Sequence, residues 1–296
     1  MSIAEQSAVV RRFNRSYTQR IGALEDSFLG MGAPLGTMRL LFEIGAEPGT
    51  VQALRARIGL DSGYLSRLLR HLEADGLVAL TPDPEDRRRR RVELTVSGRE
   101  RWAELEARSD ERARALVEPL TARQRERLAR ALAEADLLVR AATVTIETVD
   151  PLAAAARAAV GRYVAELDRR FPAGFAPGDP SPADASELSP PGGAFVVAVS
   201  DGEPVACGGV RTVAEGVGEI KRMWVHDGWR GAGLGSRLLR HLEGVSHDLG
   251  HRVVRLDTNE TLTEAIAMYE RAGYRRIERY NDNPYATDFF EKTHGA

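Results

Sequence analysis

The stretch EIKRMWVHDGWRGAGLGSRLLRHLE (219–243) has the residue types of an anion site. A strand-like run, EIKRMWV, meets the glycine-rich turn RGAGLG. A helical run follows, with Leu238, Leu239 and Leu242 on one side. At such a junction the amides of the turn face the ligand and the helix N-terminus adds partial positive charge. Glycines let phosphate oxygens approach the main chain closely, and Arg230 adds a full charge at the entrance. The dinucleotide fingerprint G-x-G-x-x-G fails, since Ser236 holds its last position, and no Gly-Lys-Ser/Thr of a P-loop occurs. What remains is Arg-x-x-Gly-x-Gly at Arg230, Gly233 and Gly235.

A second group of residues suits a nucleic acid. In DSGYLSRLLRHLEADGLVAL (61–80), Asp61 or Ser62 can cap a helix, and Leu65, Leu68, Leu69 and Leu72 form its apolar face. Ser62, Tyr64, Ser66, Arg67, Arg70 and His71 remain on the other face, and Gly76 closes the helix. Upstream, GTVQALRARIGL gives a short helix and a tight turn, so the pair reads as a helix-turn-helix or an ordinary amphipathic pair. The strand LVALTP, a charged tip and the strand RVELTV then follow, with Val92, Leu94 and Val96 expected on one face. Helix, helix and hairpin make a winged helix. The five arginines Arg87 to Arg91 lie at its wing, where a minor groove would meet positive charge.

The elements that must position these residues fall into two halves, as 296 residues favour. Residues 1–141 read mostly helical, with Val10, Phe13, Tyr17, Ile21 and Leu24, and later Leu116, Leu120, Leu128, Leu132 and Leu138, at helical spacing. Near residue 142 the texture changes. TVTIETV (143–149) reads as a strand, a helix follows from Leu152 to Arg170, and the Pro/Gly/Ser/Asp-rich run beginning FPAGF reads as a long loop inside the second domain. Charge splits mildly along the same line: +3 over residues 1–141 and −5 over the rest. Lysine occurs only at Lys221 and Lys292, so arginine number carries little meaning and arginine position carries more. The single Cys207, in PVACGGV, reads as a packed thiol of a chain kept in a reducing, cytoplasmic compartment. No Cys/His/Asp/Glu spacing suits a metal, and neither a signal peptide nor a membrane-spanning run is visible.

The first half resembles the MarR family of winged-helix regulators. DSGYLSRLLRHLEADGLV carries the resemblance, with the wing pattern D-x-R-x-x-R-x-x-L-T-x-x-G met by Asp86, Arg88, Arg91, Leu94, Thr95 and Gly98. It implies a homodimer through the flanking helices that reads a near-palindromic site in double-stranded DNA. Arg88 would enter the minor groove, oriented by Asp86. Ser62, Gly63, Tyr64, Ser66 and Arg67 would face bases or phosphates in the major groove; Arg70 of the same helix and Arg91, where the wing returns, are also expected at the DNA.

The second half, 142–296, resembles the GNAT acetyltransferases through RGAGLG after its strand, VVRLDTN, and AIAMYERAGYRRI. The resemblance implies an α+β fold whose mixed, splayed sheet binds acetyl-CoA between its fourth and fifth strands. Amides of Gly231, Gly233, Leu234, Gly235 and Ser236 would take the pyrophosphate, and the main chain of Met223, Trp224 and Val225 would pair with the pantetheine arm. Asn259 would touch the CoA arm, and Tyr269 would protonate the departing thiolate. Glu219 is the expected base; the alternative is a carboxylate exposed at the strand end or paired with Lys221 or an arginine. His226 reads as a loop histidine. Tyr280, Asn281, Asn283 and Tyr285, with the loop at 172–193, are expected around the acceptor amine. The expectation is a fusion of regulator and acetyltransferase. A regulator that only senses acetyl-CoA, and an enzyme that keeps the winged helix for dimerisation, stay open.

Overall fold

A computed structural model describes residues 1–84, 86–176 and 182–294. Contacts divide the chain into two units, Met1–Ala131 and Leu132–Ala296.

The first unit holds α1 (Ile3–Arg20), α2 (Leu35–Ala46), β1 (Gly49–Thr50), α3 (Val51–Ile58), α4 (Ser62–Ala74), β2 (Val78–Pro82), β3 (Arg90–Leu94) and α5 (Val96–Val117). The helix α6 (Ala122–Thr143) contains the division between the units. Asp61 is the N-cap of α4, accepting the Tyr64 amide at 2.8 Å. Leu65, Leu69 and Leu72 are buried against Leu40, Leu41, Ile44 and Leu54, and Leu68 packs at the margin. The sheet order is β1-β3-β2, so the winged helix carries one more short strand than its sequence suggests. The Leu-Thr-x-x-Gly part of the wing pattern has a local cause. Thr95 caps α5 by accepting the Gly98 amide at 2.9 Å. A Cβ on Gly98 would lie 1.9 Å from the Leu77 carbonyl oxygen, which no side chain tolerates. Val96 therefore begins a helix and is 66% exposed; it does not share the strand face with Val92 and Leu94.

The second unit runs β4 (Thr145–Val149), α7 (Ala154–Arg170), α8 (Pro182–Glu187), β5 (Gly193–Ser200), β6 (Glu203–Ala214), β7 (Val217–Val225), α9 (Leu234–Asp248), β8 (Val253–Thr258), α10 (Thr263–Arg271), β9 (Arg275–Ile277) and β10 (Asp288–Thr293). The seven-stranded sheet has the order β4-β5-β6-β7-β8-β10-β9, with β7 and β8 the parallel pair of an otherwise antiparallel sheet. The Pro/Gly-rich run thus lies inside this unit and contains α8, with 177–181 outside the described residues. One core packs α9 and α10 on the sheet through Leu238, Leu239, Leu242 and Tyr269; another packs α7 on it through Ala156, Ala159 and Val160.

The splay of this sheet has a visible origin. β7 and β8 pair only from Val217 to Ile220 against Val253 to Leu256. Just beyond, Cys207 of β6 faces Trp224 and Gly209 faces Lys221, so one β6 residue opposes two on β7. That bulge carries Arg222 at φ 53°, a left-handed backbone that a non-glycine residue adopts only where its surroundings impose it. The bulge bends β7 away from β8, and the gap opens where their pairing ends.

Candidate functional site

A cleft of about 840 Å³ occupies that gap. It is lined by α7 and the segment after it, the second half of β7, the turn before α9, the end of β8, α10 and the loop before β10. The turn is built for an anion. Gly233 is the N-cap of α9 at φ 78° and no side chain caps the helix. The first amides of α9 therefore have no intrahelical acceptor. Gly231, at φ 83°, and Gly233 have nothing within 4 Å of a built Cβ, so the space above them is open. Gly231, Gly233, Gly235 and Ser236 all line the cleft; the Leu234 side chain points into the core, leaving only its amide for a ligand. Met223, Trp224 and Val225 line it from β7; Trp224 and Val225 keep their β6 partners, Met223 lies in the bulge, and none of the three pairs with β8. A polyphosphate carried on an amide-containing arm fits both features.

Charges in the cleft are arranged in two groups. Near the turn, Glu166 of α7 accepts the Trp224 indole N–H at 2.8 Å and a hydrogen bond from Arg230, with Arg170 at 3.4 Å. Arg170 also bonds Glu264 through both terminal nitrogens, and Arg230 lies 3.8 Å from Glu264. Hydrogen bonds from Arg170 hold the Glu264 carboxyl below its usual range. Arg230 thus lines the cleft where expected, yet it arrives already paired. Glu166 and Arg170 carry no motif, and only α7 packing brings them in.

The second group surrounds Glu219, the expected base. Its side chain is 0% exposed and it does not line the cleft. Its carboxylate takes the Arg211 Nε at 2.7 Å, the Tyr280 hydroxyl at 2.8 Å and the Asn281 amide at 3.0 Å, with Lys221 Nζ at 3.6 Å. Arg211 further bonds Glu187. Paired in this way and outside the lining, Glu219 holds the loop that carries Tyr280 and Asn281; the paired alternative is the one observed. The carboxylate that does reach the cleft is Asp257, two residues before Asn259 on β8. It accepts from Lys221 at 3.0 Å, Asn281 at 2.6 Å and Asn283 at 3.3 Å. The sequence offered Asp257 only as one more alternating strand residue.

Tyr269, on α10, lines the cleft and packs in the core at once. Its hydroxyl is 3.9 Å from the Met223 sulfur, and burial, with the Asp257 charge second, pushes the phenol above its usual value. Asn259 lines the cleft with its amide committed: it donates to the Tyr285 carbonyl at 2.7 Å and accepts from Thr261. Among the acceptor residues, Asn283 and Tyr285 line the cleft, while Tyr280 and Asn281 stand behind it on Glu219. His226 lies outside the lining and pairs locally with Asp227 at 3.0 Å. Cys207 is fully buried, and burial pushes its thiol up to about 12. Among the described residues no group of His, Cys, Asp and Glu could hold a metal ion.

In the first unit, Ser62, Gly63, Tyr64, Ser66, Arg67 and Arg70 are exposed together on α4. Tyr64 lies under the Arg67 guanidinium at 5.7 Å. In the wing, Asp86 accepts the Arg88 backbone amide at 3.0 Å, while its ion pair is with Arg89, at 3.3 Å. Asp86 therefore orders the main chain under Arg88, and the Arg88 guanidinium keeps no partner among the described residues. Arg91 turns back along β3 and meets Glu93 at 2.8 Å. No described helix is long and apolar enough to cross a membrane.

Comparison with known proteins accords with the two halves. Residues 160–274 match the acetyltransferase (GNAT) family, and residues 30–89 match the MarR family. An IAA acetyltransferase of Azospirillum brasilense is 33% identical over 160 residues, 50% of this chain and 97% of that protein. The crystal structure of a putative acyl-CoA N-acyltransferase from Klebsiella pneumoniae shares 29% identity, covering 51% of this chain and 98% of that one, with a TM-score of 0.42. A MarR transcriptional regulator from Methanosarcina mazei shares 22% identity over 43% of this chain and 91% of that one, with a TM-score of 0.38.

Proposed function

From a chain that belongs to the GNAT acetyltransferases by its second unit and matches the MarR family over residues 30–89, we propose a DNA-binding regulator that also acetylates an amine. The second unit is an acyltransferase. The observation that carries the amine reading is the second half of β7, without a β8 partner and facing an uncapped helix N-terminus, with Asp257 and Tyr269 on the walls between.

Acetyl-CoA, once bound, supplies the thioester carbonyl that the amine attacks. The amides of Gly231, Gly233, Leu234, Gly235 and Ser236 would hold its pyrophosphate, and the main chain of Met223 to Val225 its pantetheine arm. Arg230 would add charge there, screened by Glu166, and Asn259 would shape the arm's wall. An ammonium cannot attack, so Asp257 takes its proton, directly or through water, while Lys221 steadies the carboxylate. The C–N bond forms, the C–S bond breaks, and the Tyr269 hydroxyl gives a proton to the thiolate and regains one from the newly acylated nitrogen. The raised pKa of the phenol keeps its proton in place at neutral pH.

The exposed polar face of α4 and an Arg88 guanidinium without a partner among the described residues support the DNA reading. The stripe of Val10, Phe13 and Tyr17 on α1, each 36% exposed or more, supports a homodimer. The test of transfer is release of CoA thiol from acetyl-CoA with a panel of amines. Tyr269→Phe and Asp257→Asn should each slow it about a hundredfold, while Glu219→Gln should keep the acid limb of the pH–rate profile in place. Full turnover by the Asp257→Asn/Tyr269→Phe double variant would remove both residues from the mechanism.

A further inference from the structure

Four aromatic rings stand along one wall of the cleft, contributed by segments more than a hundred residues apart: Tyr163 and Phe171 at α7, Phe175 just after it, and Tyr285 in the loop before β10. Phe175 meets Tyr285 at 4.7 Å, Phe171 at 5.6 Å and Tyr163 at 5.8 Å, each edge to face. Tyr285 and the main chain of Ala176 are hydrogen-bonded to each other, which pins the two segments together. Rings that finish a core lose their surface to it, as Phe171 does; Tyr163, Phe175 and Tyr285 are only half-buried and keep ring surface on the cleft. Alternating edges and faces suit one more flat ring, because the positive edge of one aromatic group prefers the negative face of another.

Beside this wall Arg211 and Lys221 are paired with Glu187, Glu219 and Asp257, and Arg222 and Arg271 also line the cleft. Of these carboxylates only Asp257 lines the cleft. Asn283 donates to Asp257 at 3.3 Å and accepts the Tyr285 amide at 3.1 Å, which ties this carboxylate to the aromatic wall. Among the described residues the other carboxylates lining the cleft, Glu166 and Glu264, both pair with Arg170 and Arg230. Asp257 thus offers an ammonium a carboxylate next to a place for one ring. A polyamine would meet three carboxylates and five cations among the described lining residues, so nothing there favours a second positive charge.

We propose that the acceptor is a monoamine whose nitrogen is joined by a short linker to an aromatic ring, the ring lying on Tyr163, Phe175 and Tyr285 and the nitrogen at Asp257. The proposal rests on the acetyl-transfer reading and gives that site its substrate class. It is tested on the full chain saturated with CoA, by calorimetric titration with 2-phenylethylamine, 2-cyclohexylethylamine, spermidine and ethanolamine, so that binding is read without turnover. 2-Phenylethylamine should bind about tenfold tighter than its saturated analogue, and tighter still than the two aliphatic amines. Phe175→Leu and Tyr285→Leu, on separate segments, should each erase most of that preference; acetyl-CoA titration reports whether each variant is folded. Equal binding of the phenyl and cyclohexyl amines, tighter binding of spermidine, or a preference that survives both variants would overturn the proposal. Selective binding without release of CoA thiol would leave the acceptor class standing and refute the transfer reading instead.

Discussion

Arg87 and Arg88 stand exposed at the wing, with no hydrogen bond or ion pair from either guanidinium to a described residue. Arg170, Arg211 and Arg230 each meet two carboxylates in and behind the cleft. In the sequence these arginines look alike, in a chain that uses almost no lysine. In the fold they do different work. A guanidinium without an internal partner keeps its charge for whatever comes to it, whereas one held by two carboxylates has turned its charge into geometry. Substitution at the wing should then cost binding and spare stability, and substitution in the cleft should do the reverse.

The sharpest way to break this contrast is Glu166→Ala. It strips a carboxylate, 10% exposed, from the Trp224 indole and from two arginines. Leaving buried donors and charge without a partner should cost the second unit about 3 kcal/mol, a fall of roughly 10 °C in Tm by thermal unfolding. A fall below about 2 °C would mean that the cluster is no more than a surface pair. The wing gives the intermediate effect. Arg88→Ala should weaken operator binding about tenfold with Tm unchanged. Arg87→Ala should weaken it less and lower the slope of log K against log salt by about 0.9. Equal losses at the two positions would dissolve the distinction between them.

The smallest effect is in pH. His251 sits between Ser246 at 2.9 Å and Thr212 at 2.8 Å, and burial, then the nearby His294, lowers its pKa from the ordinary 6.5. The unfolded chain therefore binds this proton more readily than the folded one. Its contribution is full above pH 6.5 and is lost as pH falls below that value. Thermal unfolding followed from pH 8 to 5.5 should show the second unit losing stability on the acid side, by less in His251→Asn. Operator binding should show no matching step from the wing, since its arginines stay charged throughout.

Legibility followed the range of the interactions. The α4 stripe, its Asp61 cap, the Thr95 cap and the close approach at Gly98 depend on neighbours a few residues away or on the adjoining strand, and the sequence displays them as a pattern. Gly231 and Gly233 were readable because a tight turn into a helix N-terminus needs positive φ at fixed spacing. The two-residue strand β1 and the six-residue helix α8 are too short for periodicity to reveal. Val96 was misplaced since strand alternation and the first position of a capped helix look the same over a few residues.

The sequence by itself determined two folding units, a polar helix face followed by an arginine-bearing wing, and a glycine turn after a strand. Only the tertiary structure decided which carboxylate faces the cleft. Glu219 lies on β7 beside Arg255 of β8, where the two strands still pair, and is closed in by Arg211, Tyr280 and Asn281. Asp257 lies past the end of that pairing, where the Arg222 bulge has parted the strands. The aromatic wall likewise exists only after α7 and the loop before β10 come together. A residue's type is local, but its access to a ligand depends on chain segments that meet only when the sheet is formed.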